Sequence, residues 1–122
     1  MTILIADSSI KIIDRLESLI VEADNKLKIY KALTFAEALE LFDEFNPEVV
    51  LLDMKLPADK SLHLLKLIKQ TGSRTCIIAL YSGVQYYQLG VDYFLDKHNE
   101  FEKIPGLIKD IKEKNEMSIK IN

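Results

Sequence analysis

The chain has 122 residues, with one cysteine, no tryptophan, four glycines and three prolines. A single thiol, Cys76, cannot close an internal disulfide, which fits a reducing compartment. With no cysteine cluster, and with His63 and His98 isolated, the ligand spacing of a structural zinc site is missing. No apolar run exceeds six residues, whereas a helix that crosses a bilayer needs about 18. No charged leader followed by an apolar stretch opens the chain, so no signal peptide is expected. Basic charge is not in excess: 16 Lys and Arg stand against 19 Asp and Glu, a net −3, which leaves no electrostatic footprint for nucleic acid. No glycine-rich phosphate loop follows the first apolar run, which argues against a small-molecule enzyme built on one. Repeats, low-complexity tracts and interdomain linkers are absent too. The expectation is a cytoplasmic protein without a membrane or nucleic-acid partner.

What is present suits one globular domain: 48% hydrophobic and 29% charged residues, in a length that can bury roughly two-thirds of the unfolded surface. Short apolar runs recur at Ile3–Ala6, Ile29–Ala32, Val49–Leu52, Ile77–Leu80 and Val91–Leu95. Most are rich in Ile, Val and Leu without alternation, as strands buried on both faces of a parallel sheet are. The second alternates (Lys28-Ile29-Tyr30-Lys31), which suits an edge. Between the runs the apolar spacing becomes helical. Ile12, Ile13, Leu16, Leu19 and Ile20 form one stripe on a helix that Ser8 or Ser9 would cap. Thr34 and Glu37 read as a capping box for a second helix, with Ala38, Leu39, Phe42 and Phe45 on its buried face and Asn46-Pro47 at its end. Leu62, Leu64, Leu65 and Ile68 mark a third, closed by Thr71-Gly72. Ile104, Leu107, Ile108 and Ile111 mark the last, with Pro105 in its first turn. Alternation of strand and helix predicts a doubly wound α/β sandwich around a five-stranded parallel sheet. One unit is short: nine residues, Tyr81 to Leu89, separate the fourth run from Gly90, so the fourth crossover helix is short or missing. The domain is placed at 1–114, with 115–122 a polar, frayed tail.

Two of the runs end in acids, Ile3-Leu-Ile-Ala-Asp7 and Val49-Val-Leu-Leu-Asp53, and a third segment ends in a lysine, Tyr93-Phe-Leu-Asp-Lys97. Singly, each acid reads as a turn former. Together they would meet in one crevice if the first and third strands are neighbours, at the carboxyl ends where α/β sheets gather functional groups. The order and spacing (acid, 46 residues to the next acid, 44 more to the lysine), with Leu56-Pro57 after Asp53 and Gly90-Val-Asp-Tyr-Phe-Leu-Asp-Lys97, resemble the receiver domains of bacterial two-component response regulators, from Thr2 to about Lys114. The resemblance implies the flavodoxin-like strand order 2-1-3-4-5. It implies that Asp53 is a phosphoacceptor, that Mg²⁺ is held by Asp7, Asp53 and the backbone carbonyl of Lys55, and that Lys97 pairs with Asp53 and then with the phosphoryl group. A histidine kinase or phosphotransfer protein would be the donor, and an unidentified downstream protein the target.

Three positions depart from the family's pattern. Ser8 stands where a second adjacent acid is usual. Tyr81 stands at the switch position that normally holds a small hydroxyl, so Ser82, one residue on, is the candidate for that role. His98 replaces the proline that usually follows the lysine; the bond before it is expected to be trans, and His98 is given no role. Cys76 reads as a small buried hydrophobe and the Lys55 side chain as solvated. These departures support an alternative, a receiver-like binding module that does not take phosphate.

Overall fold

In the computed structural model, which describes residues 1–56, 58–71, 74–82 and 90–121, short strands alternate with helices. Their order is β1 (Thr2–Ala6), α1 (Ile10–Ala23), β2 (Lys28–Ala32), α2 (Phe35–Phe45), β3 (Val49–Asp53), α3 (Ala58–Gln70), β4 (Cys76–Tyr81) and β5 (Tyr93–Asp96). A 3₁₀ turn (Phe101–Lys103) then leads into α4 (Ile104–Ile121). All strand pairs are parallel, in the order β2-β1-β3-β4-β5. The alternating segment at Lys28 is an edge strand, as its pattern predicts.

Central strands covered on both faces sort successive residues into two cores. Ile3, Ile5, Val49, Leu51, Ile78 and Leu80 pack with Ile13, Leu16 and Ile20 of α1 and Ile104, Ile108 and Ile111 of α4. Leu4, Ala6, Val50, Leu52, Ile77 and Ala79 pack with Ala38 and Phe42 of α2 and Leu64, Leu65 and Ile68 of α3. Burial of these side chains, each contributing roughly 2 kcal/mol, is the main force holding the strand ends in place.

Local signals set the element boundaries. Ser9, not Ser8, caps α1, its hydroxyl accepting the Ile12 N–H at 3.4 Å. Thr34 Oγ1 accepts the Glu37 N–H at 3.2 Å, and Glu37 Oε1 in return accepts the Thr34 hydroxyl rather than a backbone N–H. Asn46, left-handed at φ 44°, closes α2.

Three expectations change. β5 begins at Tyr93 rather than Val91 because Asp92 occupies the ladder position ahead of it: its Oδ2 accepts the Ile77 N–H at 2.7 Å while its own N–H donates to the Ile77 carbonyl at 2.9 Å. The turn before it uses Gly90 at φ 92°, where the Lys69 side chain fills the space a Cβ would need. Cys76 is half-buried at the rim of the first core rather than inside it. The last helix passes Lys114, where the tail was placed, and continues to Ile121. Lys, Glu and Met are good helix formers, and the Asn115 amide reaches Glu48 Oε2 at 3.5 Å. The shortened crossover falls at residues 83–89, outside the described residues. No described helix is long and apolar enough to cross a membrane.

Candidate functional site

Asp7 directly follows β1 and Asp53 closes β3, and these neighbouring strands pair in register up to Ala6 opposite Leu52. Their carboxylates therefore leave the sheet side by side at its carboxyl edge, where β1 connects to β2 on one flank and pairs with β3 on the other. Both are buried, at 0% and 2% exposure. Asp7 Oδ1 accepts the Ser9 N–H at 2.8 Å and Asp53 Oδ1 accepts the Lys55 N–H at 3.0 Å. Each acid thus closes a small turn as well as facing its neighbour.

Lys97 follows β5, which lies roughly 10 Å from β3 with β4 between them. Its extended arm crosses the end of β4 and places Nζ 3.0 Å from Asp53 Oδ1 and 2.7 Å from Asp7 Oδ2. Asp7 Oδ2 takes this contact without an aligned hydrogen bond. One ammonium thus faces two buried carboxylates, so the cluster keeps a net negative charge and an under-satisfied oxygen, a setting that attracts a cation. The oxygen donors fit Mg²⁺, which takes one or two carboxylates and keeps several waters. Among the described residues no group of three or more His, Cys, Asp or Glu side chains could hold a metal. Ser8 is exposed and adds no carboxylate.

Beside the acids, the ends of β4 and β5 are joined by a second set of contacts. The Lys97 N–H donates to the Tyr81 carbonyl at 2.8 Å. Glu100 Oε1 accepts the Asp96 N–H at 2.9 Å, and its Oε2 pairs with Lys103 at 2.6 Å. Lys103 chiefly, and the Asp96 N–H, hold the Glu100 carboxyl below the usual range. Tyr81 lies beside that carboxylate; partial desolvation and then the charge of Glu100 push its hydroxyl up. The Tyr81 hydroxyl is thus beside the carboxylate of the loop after β5. Ser82 Oγ lies 2.9 Å from His98 Nε2.

The structure brings Asp7, Asp53 and Lys97 together, puts the Lys55 N–H on Asp53 with its side chain exposed, and sets Ser82 on His98. Two residues near the acids, Ser61 and Glu100, were not singled out in the sequence. Ser61, fully buried, donates to the Asp53 carbonyl at 2.6 Å and accepts the Leu56 N–H at 3.1 Å, pinning the turn between β3 and α3. A serine among the apolar positions of a helix's first turn was the available signal. Glu100 carries no sequence signal, since loop position alone brings it to Asp96; His98, weighed above as a departure and given no role, meets Ser82. A groove of about 470 Å³ between α1 and α4, floored by Ile20, Leu27 and Ile108, contains none of the acid-site residues.

Comparison with known proteins agrees with this geometry. A sequence model of the response regulator receiver domain matches residues 3–109. An uncharacterized response regulatory protein of Staphylococcus epidermidis is 31% identical over 87 residues, covering 66% of this chain and 35% of that protein. The chain therefore spans about a third of that relative's length. The fold matches the signal receiver domain of a Luxo repressor protein from Vibrio parahaemolyticus with a TM-score of 0.85 at 18% identity, over 99% of this chain and 96% of that one. It matches the receiver domain of a DNA-binding response regulator from Colwellia psychrerythraea with a TM-score of 0.84 at 21% identity, over 93% and 98%. With five parallel strands in the order β2-β1-β3-β4-β5 and two buried acids and a lysine at their carboxyl edge, the chain belongs to the response regulator receiver domain family.

Proposed function

We propose that this receiver takes a phosphoryl group on Asp53 and signals through protein contacts. The observation that supports it is the Lys97 ammonium held against both buried carboxylates. Asp53 Oδ1 is engaged by the Lys55 N–H and by Lys97, which leaves Oδ2 as the attacking oxygen. That oxygen forms a bond to phosphorus as the bond from phosphorus to the donor's imidazole nitrogen breaks, and the nitrogen keeps the electron pair. Asp7, Asp53 and the Lys55 carbonyl would hold Mg²⁺, which when bound neutralises charge on the phosphoryl oxygens. Lys97 stays within reach of the new phosphoryl group as a flexible point charge. Ser82 supplies the hydroxyl that binds a phosphoryl oxygen, because Tyr81 is engaged by Glu100. The donor is a histidine kinase or a phosphotransfer protein, and the setting is cytoplasmic.

A receiver-like module that binds partners without taking phosphate is the alternative. It is favoured by the exposed Ser8, which removes one carboxylate from the site. Intact mass after incubation with acetyl phosphate separates the two. A Mg²⁺-dependent gain of one phosphoryl group, absent in Asp53→Asn, is the expected outcome. No gain, together with no uptake of beryllofluoride, would establish the alternative.

A further inference from the structure

Ser82 and His98 lie at the carboxyl edge of the sheet, as the acids do, one just past β4 and the other just past Lys97. Their side chains meet at 2.9 Å between Oγ and Nε2. The loop that carries the imidazole is itself fixed: the His98 N–H donates to Asp96 Oδ1 at 2.8 Å, and the Asn99 amide reaches Asp96 Oδ2 at 3.4 Å. There are no cis peptide bonds among the described residues, so the Lys97–His98 bond is trans. His98 therefore brings a side-chain nitrogen to the position beside Lys97.

We propose that His98 is a positioning residue that aims the Ser82 hydroxyl at a phosphoryl group on Asp53. The inference rests on the phosphoacceptor reading above. A serine hydroxyl has one proton to donate and lone pairs with which to accept. When Nε2 carries a hydrogen, the imidazole donates to Ser82 Oγ, and the Ser82 proton is free to point at an acceptor on the other side. When Nε2 is bare, it takes the Ser82 proton, and the hydroxyl turns only lone pairs toward the site, which repel an anion. A phosphoryl oxygen therefore selects the first arrangement, a chain running from Nε2–H to the Ser82 oxygen and from the Ser82 proton to the phosphoryl oxygen. No covalent bond changes in this step; only the direction of one hydrogen bond is set. The device gives this chain a working hydroxyl although its switch position is occupied by Tyr81.

Beryllofluoride affinity in the presence of Mg²⁺, followed by fluorine NMR, tests the inference on the full chain. The His98 side chain is exposed, so its substitutions leave the fold intact, as circular dichroism would verify. His98→Ala is expected to weaken beryllofluoride binding about tenfold, the loss of one hydrogen bond to an anion site. His98→Gln, whose amide N–H can replace Nε2–H, is expected to stay within about threefold of the unaltered chain. In a Ser82→Ala background, His98→Ala should add nothing, because the two side chains act as one unit. Mg²⁺ affinity measured without beryllofluoride should not move in any of these variants. Additive losses, failure of glutamine to rescue, or a parallel fall in Mg²⁺ affinity would overturn the role of His98 and leave the phosphoacceptor reading standing. No beryllofluoride uptake by the unaltered chain would overturn both.

Discussion

Replacing Lys97 with methionine keeps most of the side chain's length and removes only the ammonium. Asp7 and Asp53 would then face each other with no compensating charge, their near oxygens within about 6 Å because both touch the same nitrogen. The side chains of the two acids are 0% and 3% exposed and that of the lysine 14%, so water can do little to screen the result. At an effective dielectric constant of about 20, contacts of this length are each worth about 6 kcal/mol in gross attraction. Much of that is offset by the desolvation the ammonium undergoes on burial. The net loss expected on removing one member of such a cluster is about 3–5 kcal/mol, a large share of the roughly 5–15 kcal/mol that holds a domain folded. In urea, with divalent cations chelated, the midpoint should fall by about 2 M at an m-value of about 2 kcal/mol/M. Two controls make the reasoning specific. In an Asp53→Asn background the same Lys97→Met substitution should cost less than half as much, because one of the stranded charges is gone. Saturating Mg²⁺ should restore more stability to Lys97→Met than to the unaltered chain, because the cation replaces a missing charge. A loss below about 1 kcal/mol, or one that neither Asp53→Asn nor Mg²⁺ changes, would refute the account of a negatively charged cluster balanced by one lysine.

Ser61→Ala should destabilise the domain by about 2 kcal/mol in urea titrations, since it strands a buried carbonyl and a buried N–H next to Asp53. Burial chiefly, then the Asp92 carboxylate, pushes the Cys76 thiol up to about 12. Ellman's reagent at mildly alkaline pH should therefore label Cys76 far more slowly in the folded chain than in denaturant, because the thiolate is the reactive form. Asp24 is held below its usual range, first by its hydrogen bond from Lys112 at 2.9 Å. Its contribution to stability is present above the ordinary carboxylate range and is lost as pH falls through the lowered value. Lys112 is raised, first by the same bond, so its share is complete below the ordinary lysine range and lost as pH rises through the raised value. Thermal melts should show that Asp24→Asn removes the acid-side part, and that salt weakens the effect in the unaltered chain.

The parts of this domain legible in its sequence are those written by burial. Runs such as Val49–Leu52 identify themselves because both faces of a central strand must be apolar, and the helices between them because one stripe must be. The acids and the lysine were legible through their position at the ends of such runs, and the strand order through resemblance to a family. The start of β5 was not, because Asp92 uses a side chain to make a ladder bond and leaves no periodic trace. The end of α4 was missed because its later turns are polar, and a polar helix and a polar tail have nearly the same composition. Ser61 and Glu100 escaped for a different reason. Ser61 makes two hydrogen bonds, to the Asp53 carbonyl and from the Leu56 N–H, and Glu100 accepts the Asp96 N–H, contacts that apolar spacing along the chain does not encode.

The two walls of the acid site are fastened unequally. On the Asp53 side, Ser61 secures the carbonyl of Asp53 and the N–H of Leu56 in a dry interior. On the other side, the bond between Ser82 and His98 is exposed to water. Local opening follows solvent access and contact density, so hydrogen exchange at the Leu56 amide should track unfolding of the whole domain, while amides at the ends of β4 and β5 exchange through smaller openings. A phosphoryl group on Asp53, as proposed, would then meet one wall held by buried hydrogen bonds and one held in part by a bond open to water. The expected displacement on phosphorylation is therefore toward the β4–β5 edge, where the fastening is open to water.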